Sequence, residues 1–179
     1  KYRIDKLLEI YSNTWLYLED GATIVRNFDK GCMIKNAQAN GAGGYGSERN
    51  IVIEGGCWDG NPSSTSRPFS NMRFGHMKNL WIKNVEIKNN YNGHHVEIGG
   101  VKGITIEDCD FHGYTGTFQK EAIQLDTISN SDVFPAYEPF DDTPCDNAVI
   151  KNNKFHDLIR GLGSHSACLG VYYTNTLIS

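Results

Sequence analysis

The chain has 179 residues, 39% of them hydrophobic, which is enough to bury the core of one domain. A formal net charge of −4 provides no basic surface for nucleic acid, and no apolar run approaches the roughly 20 residues of a membrane-spanning helix. The five cysteines form no CxxC pair and have no zinc-ligand spacing, so we expect them to be mostly buried and reduced.

The first stretch in chain order that suggests regular structure, SNTWLYLEDGATIVRN, has the pattern of strand, turn, strand. Four later segments superpose without internal gaps, and their starts are 29, 24 and 44 residues apart. Each has an apolar-x-apolar strand, a polar or glycine corner and a second short strand. These segments are IVIEGGCWDG from Ile51, LWIKNVEIKN from Leu80, ITIEDCDFHG from Ile104 and AVIKNNKFHD from Ala148.

Two columns of equivalent residues in these segments carry like side chains, so they can stack about 4.8 Å apart on successive coils. The columns are Ile53, Ile82, Ile106 and Ile150, and Trp58, Ile87, Phe111 and Phe155. They predict an all-β, right-handed parallel β-helix, a solenoid of irregular coils with long loops. A β-sandwich is the alternative, but it would show hairpin turns about every 8–12 residues, and this regularity is missing.

The opening stretch, the segment NIVIEGGCWDGNPSS and the coils that follow resemble the pectin-lyase-like superfamily over nearly the whole chain. This superfamily includes polygalacturonases, other glycoside hydrolases, pectate lyases and phage tailspike depolymerases. The resemblance implies a carbohydrate substrate and a secreted or bacterial-surface location. We expect residues 1–179 to form one β-helix domain or part of a longer one, with inserted loops at about 61–71 and 127–147.

Strands that precede the repeats carry a candidate catalytic column. Aligning MRFGHMKNLWI with VEIGGVKGITI, and HHVEI with IQLDT, places Arg73, Glu97, Asp126 and His165 on successive coils of one outward face. Carboxyl groups on adjacent coils would lie roughly 5 Å apart, as in a retaining glycosidase, with the pKa of one raised. The prediction is that Asp126 and Glu97 are catalytic with His165. The alternative is a surface ion pair between Arg73 and Glu97.

Substrate-binding residues are predicted beside this column. The same alignment places His95 level with Gln124 in the neighbouring column. Arg73 and Lys120 add positive charge, and the 127–147 loop carries Phe134 and Tyr137, whose rings are expected to pack against sugars. The 61–71 loop is expected to form another wall.

Three functions remain open from the sequence. The first is a glycoside hydrolase without a cofactor, since GHHVEI, EAIQLD and GSHS resemble bacterial β-helix glycosidases of the lacto-N-biosidase-like group. The second is a polysaccharide lyase, in which Arg73 or Lys120 is the base and Glu97 and Asp126 bind calcium. The third is a glycan-binding β-helix without catalysis, truncated and completed at its open end by further chain or by self-association.

No metal site is predicted. His112 and His156 occupy one repeat column and are expected to form a stacked surface pair.

Overall fold

The computed structural model describes residues 1–38, 41–165, 168 and 170–179. Every ladder between the named strands of these residues is parallel, and no helix among them has the length and hydrophobicity that a membrane crossing requires. The strands are β1 Tyr2–Ile4, β2 Leu8–Ile10, β3 Thr14–Tyr17, β4 Thr23–Arg26, β5 Ile34–Asn36, β6 Glu48–Glu54, β7 Cys57–Asp59, β8 Met72–Lys83, β9 Glu86–Tyr91, β10 Val96–Glu107, β11 Asp110–Thr115, β12 Glu121–Asp126, β13 Asp146–Lys151, β14 Lys154–His156, β15 Arg160–Gly163 and β16 Leu177–Ile178.

The strands stack into two sheets that enclose the hydrophobic core. One sheet has the order β1-β4-β7-β9-β11-β14, and the other contains β15-β12-β10-β8-β5-β2, with β3, β6, β13 and β16 joined to it. The predicted isoleucine column and the mostly aromatic column are both in register on adjacent strands. The sequence prediction of a parallel β-helix is therefore confirmed.

One corner of each coil is built on a left-handed backbone conformation, which asparagine and glycine tolerate better than other residues. Asn50 Nδ2 donates a hydrogen bond of 2.9 Å to Asn13 Oδ1, and Asn79 Nδ2 donates one of 2.8 Å to Asn50 Oδ1. This asparagine ladder fixes the coils relative to one another. The corner residues, all with positive φ, are Asn13, Asn50, Asn79, Gly103 and Asn147.

Two inserted segments, 37–47 and 127–145, leave the coils at a second corner, which β8 and β10 cross as continuous strands at His76 and Gly100. The segments bind each other, because Asp141 Oδ2 accepts a 2.6 Å hydrogen bond from the backbone N–H of Gly44. The predicted 127–147 loop thus ends two residues early, at the start of β13. The predicted 61–71 loop lies between β7 and β8.

Candidate functional site

A concave cleft of about 420 Å³ opens beside the first halves of β8, β10 and β12. The segment between β7 and β8 forms one wall through Phe69, as predicted for the 61–71 loop, and exposed Phe118 lies on the rim. Five of the predicted site residues line the cleft: Arg73, Glu97, Lys120, Gln124 and His165.

Arg73 and Glu97 are paired on adjacent strands, as the sequence alignment predicts. Arg73 Nη2 lies 2.7 Å from Glu97 Oε2, its Nε donates to the same oxygen at 2.8 Å, and Ser70 Oγ donates to it at 2.7 Å. Burial alone would lower the pKa of Arg73, but the attraction of Glu97 outweighs it and raises that pKa. Since only 5% of the Glu97 side chain is exposed, the pair is buried rather than a surface ion pair.

The predicted alignment of β12 is wrong by two residues. Glu97 is paired with Gln124, and Asp126 is paired with Gly99. A shift of two residues keeps the same side chains on the outward face but moves each of them two residues along the neighbouring strand. The two predicted catalytic carboxylates therefore do not face each other on adjacent coils.

Asp126 is completely buried and does not line the cleft. Its Oδ1 accepts hydrogen bonds from the backbone N–H of His165 at 2.7 Å and from Ser164 Oγ at 3.2 Å, and its Oδ2 accepts one from Gln124 Nε2. In this position Asp126 holds the chain that follows β15. Its catalytic role stays a prediction.

His95 does not lie on the outward face, so its predicted substrate contact is wrong. It precedes β10 in a turn, where the alternation of a strand does not apply, and its ring is buried edge-on against Phe111 with centroids 6.3 Å apart. Its Nε2 lies 2.9 Å from the carbonyl oxygen of His112. Burial lowers the pKa of His95 to about 4.

Phe134 and Tyr137 are also placed differently from the prediction, because neither ring is accessible to a sugar. Both rings pack on the backbone of Gly75, and Phe134 also packs on Gly99; an added Cβ at either glycine would lie within 3.0 Å of a ring atom. Tyr137 Oη donates to the carbonyl oxygen of Arg73 at 3.0 Å. These aromatic residues fasten the inserted segment to the sheet.

A second charged group lies at the cleft, formed by His94, Glu121 and His165, which we call the cleft triad. His165 Nε2 lies 2.9 Å from Glu121 Oε2, and His94 Nδ1 lies 3.9 Å from the same oxygen. Burial lowers the pKa of His94. Burial would raise the pKa of Glu121, but its backbone N–H and the positive charges of His165 and Arg160 outweigh burial and lower it.

Sequence reasoning missed His94 and Glu121. His94 could not be told from His95 by pattern, because both precede the strand, and the turn alone decides which ring faces the cleft. Glu121 begins β12, where the outward positions that the alignment counted are Gln124 and Asp126. Two adjacent histidines before the strand were the one available signal.

Gln124, a predicted binding residue, has a hydrogen-bond acceptor that no described residue uses. It lines the cleft, and its buried Oε1 accepts no hydrogen bond from any part of the chain that the structure describes. A buried carbonyl oxygen without a donor costs roughly 1–3 kcal/mol, so a ligand that donates to it gains that energy back.

Comparisons with known proteins agree with the fold. A curated protein of Streptococcus pneumoniae, "plasmin and fibronectin-binding protein A", is 26% identical over 92% of this chain, which spans 27% of that protein. Two solved structures of PfbA, described as a surface adhesin of the same species, cover 98% of the chain with TM-scores of 0.82 and 0.76 at 20% and 23% identity. The chain spans about half of each.

A third solved structure, from Parabacteroides merdae and provisionally described as a glycosyl hydrolase, has a TM-score of 0.63 at 16% identity and covers 98% of the chain and 79% of its own length. No family model matches the chain. At these identities the solved structures establish the parallel β-helix alone. The bacterial-surface location of the streptococcal relatives supports the expectation of a secreted or surface protein.

Proposed function

We propose that this chain is the ligand-binding β-helix of a bacterial surface protein and that its cleft binds a saccharide without cleaving it. The observation that carries this proposal is the unsatisfied acceptor of Gln124, a buried oxygen on a residue that lines a concave cleft. Lys120 and Arg73 line the same cleft, and Phe118 offers an exposed ring on its rim. Sugar hydroxyls can donate to the acceptor, and a sugar ring can pack on an aromatic face.

Binding is favoured over hydrolysis by the state of the cleft carboxyl groups. A glycosidase needs one carboxyl group that is protonated near neutral pH, which requires a raised pKa. Glu97 Oε2 accepts hydrogen bonds from Ser70 Oγ and Arg73 Nε and is ion-paired with Arg73 Nη2, and the pKa of Glu121 is lowered. Glu121 is therefore better suited to binding cations and hydroxyls than to donating a proton, and Glu97 Oε2 is already occupied by Arg73 and Ser70.

The test is binding to an array of plant, animal and bacterial glycans, followed by calorimetry on the best ligand. Gln124→Met keeps the volume but removes the acceptor, so we expect at least tenfold weaker binding, equivalent to about 1.4 kcal/mol. Lys151→Met is the matched control, because its ion pair with Glu107 lies away from the cleft and is partly exposed. Unchanged affinity in Gln124→Met would place the saccharide elsewhere.

Immobilised plasmin and fibronectin belong in the same experiment, since the pneumococcal relative carries their names. Binding to a deglycosylated form of either protein, with no response on the glycan array, would replace the saccharide with a polypeptide ligand.

The second candidate function is glycoside hydrolysis, which the presence of Glu97 and the cleft triad at one cleft keeps open. Reducing-sugar release from the same glycans would be compared in the parent chain and in Glu97→Gln, Glu121→Gln and Asp126→Asn. Release that one of these substitutions abolishes, with folding intact, would establish a hydrolase. Absorbance of an unsaturated product would instead indicate a lyase, for which Lys120 is the better base because Arg73 is paired.

A further inference from the structure

We propose that the cleft triad binds a divalent transition-metal ion of the Zn²⁺ class. Two imidazoles and a carboxylate form a ligand set that suits zinc. Each of the three residues offers one ligand atom, and these atoms lie within 4.8 Å of one another. This site is independent of saccharide binding and would exist whether or not the cleft holds a sugar.

The spacing of the triad is close to that of ligands on one ion. Tetrahedral ligands at about 2.0–2.1 Å from zinc lie roughly 3.3 Å apart, and two bound imidazoles have centroids about 5 Å apart. His165 Nε2 and Glu121 Oε2 are 2.9 Å apart, and the rings of His94 and His165 have centroids 5.7 Å apart.

The second observation is an unused buried oxygen. Glu121 is 4% exposed, and its Oε2 accepts no hydrogen bond from the described residues, although His165 Nε2 lies 2.9 Å away. Two atoms this close without a hydrogen-bonding angle lie side by side, as two ligands of one ion do. A buried carboxylate oxygen with no donor is costly, and a cation would satisfy it.

The surroundings of the triad hold two of its ligands in place. His94 Nδ1 lies 2.8 Å from the carbonyl oxygen of Glu121, so Nδ1–H can donate there and leave the lone pair on Nε2 for a metal. Arg160 Nη1 donates to Glu121 Oε1 at 3.3 Å, which leaves Oε2 for the ion. Metal-binding histidines and carboxylates are typically oriented by such outer hydrogen bonds.

Three protein ligands leave a coordination position for water or for an atom of a ligand. His94 and His165 both line the cleft, so this position would face it. The ion would then add a positive charge to the cleft beside Lys120 and Arg73.

The experiment is titration of the metal-stripped chain with Zn²⁺ by calorimetry, and with Co²⁺ by visible absorption. We expect one Zn²⁺ per chain, affinity lowered at least tenfold in Glu121→Gln and in His165→Asn, and a Co²⁺ spectrum without thiolate charge transfer. His165→Asn guards against misfolding, because 36% of that side chain is exposed. Circular dichroism would confirm that each variant folds.

The matched control is the double substitution His112→Asn with His156→Asn, which removes a histidine and carboxylate cluster on the other sheet that also has metal-ligand spacing. The proposal requires that this variant binds Zn²⁺ with parental affinity. Loss of binding in the control with retention in Glu121→Gln, a thiolate spectrum, or no uptake by the parent chain would each overturn it.

Discussion

Two clusters of histidine and carboxylate lie on different sheets of this β-helix, and the same chemical groups behave differently in each. On the sheet that contains β11 and β14, His112 and His156 stack with centroids 4.6 Å apart, as predicted from their shared column, and we call them the outer pair. Their Nε2 atoms are 3.0 Å from Glu86 Oε1 and 2.9 Å from Asp110 Oδ1, so each ring has its own carboxylate. In the cleft triad, two rings share one buried glutamate.

This difference shows that solvent exposure decides whether such a cluster can bind a further partner. Water screens the outer pair, and its ring–carboxylate pairs are complete within the chain. The triad is largely buried and leaves an oxygen of Glu121 without a donor, so it has capacity for a further partner. Ligand types and spacing alone would rank the two clusters as equals.

The largest expected effect is acid destabilisation caused by His95, whose ring is completely buried against Phe111. Its pKa is about 4 in the folded chain and near 6.5 when unfolded, so the unfolded chain binds the proton first as pH falls. Stability is retained above pH 6.5 and decreases by about 3 kcal/mol as the pH falls from 6.5 to 4. Urea unfolding across this range would measure it.

His95→Leu is the comparison for this titration, because leucine fills much of the site and cannot be protonated. We expect a flatter dependence of unfolding free energy on pH, whatever the variant's stability at pH 7. An equal slope in parent and variant would mean that other groups cause the acid response.

A smaller effect is expected from breaking ion pairs, and the loss of unfolding free energy should be greater for a buried pair than for an exposed one. Glu97→Gln leaves the guanidinium of Arg73 without its carboxylate, and we expect a loss of about 3 kcal/mol in unfolding free energy at pH 7. Glu107→Gln breaks the more exposed pair with Lys151 and should cost less than about 1 kcal/mol. Equal shifts of the two denaturation midpoints would contradict this difference in burial.

The smallest expected effect concerns His156 of the outer pair, whose pKa is shifted in the opposite direction to that of His95. The hydrogen bond to Asp157, followed by that to Asp110, raises the pKa of His156, so its contribution is present below pH 6.5 and lost as pH rises through the folded pKa. Asp157→Asn should bring this pKa down, as followed by NMR of the ring protons. A pKa that does not move would assign the shift to Asp110.

The fold was predictable because its signal is repeated. The isoleucine column from Ile53 to Ile150 recurs at each coil, and register errors would move these residues out of the core. The pairing of Arg73 with Glu97 followed from the same alignment. The second inserted segment was visible as a long stretch between two repeats, whereas segment 37–47 precedes the first repeat and was not predicted.

The site was harder to predict, for reasons that are physical. A slip of two residues preserves alternation, so polarity could not reveal that Asp126 pairs with Gly99 instead of Glu97. The direction of His95 depends on a turn, not on a strand. Burial of Phe134 depends on glycines distant in sequence, although Gly75 and Gly99 share one level of the sheet and could have indicated a covered surface.

The asparagine ladder has a consequence for how this molecule can vary. Its hydrogen bonds join neighbouring coils along one edge, and the strands β6, β8 and β10 run through that edge without interruption. Segments 37–47 and 127–145 are inserted only at the second corner, away from this edge. Because the asparagine hydrogen bonds hold neighbouring coils together at one edge, the segments at the second corner can change in length and sequence without changing how the coils stack. Ligand specificity can therefore diverge at the second corner.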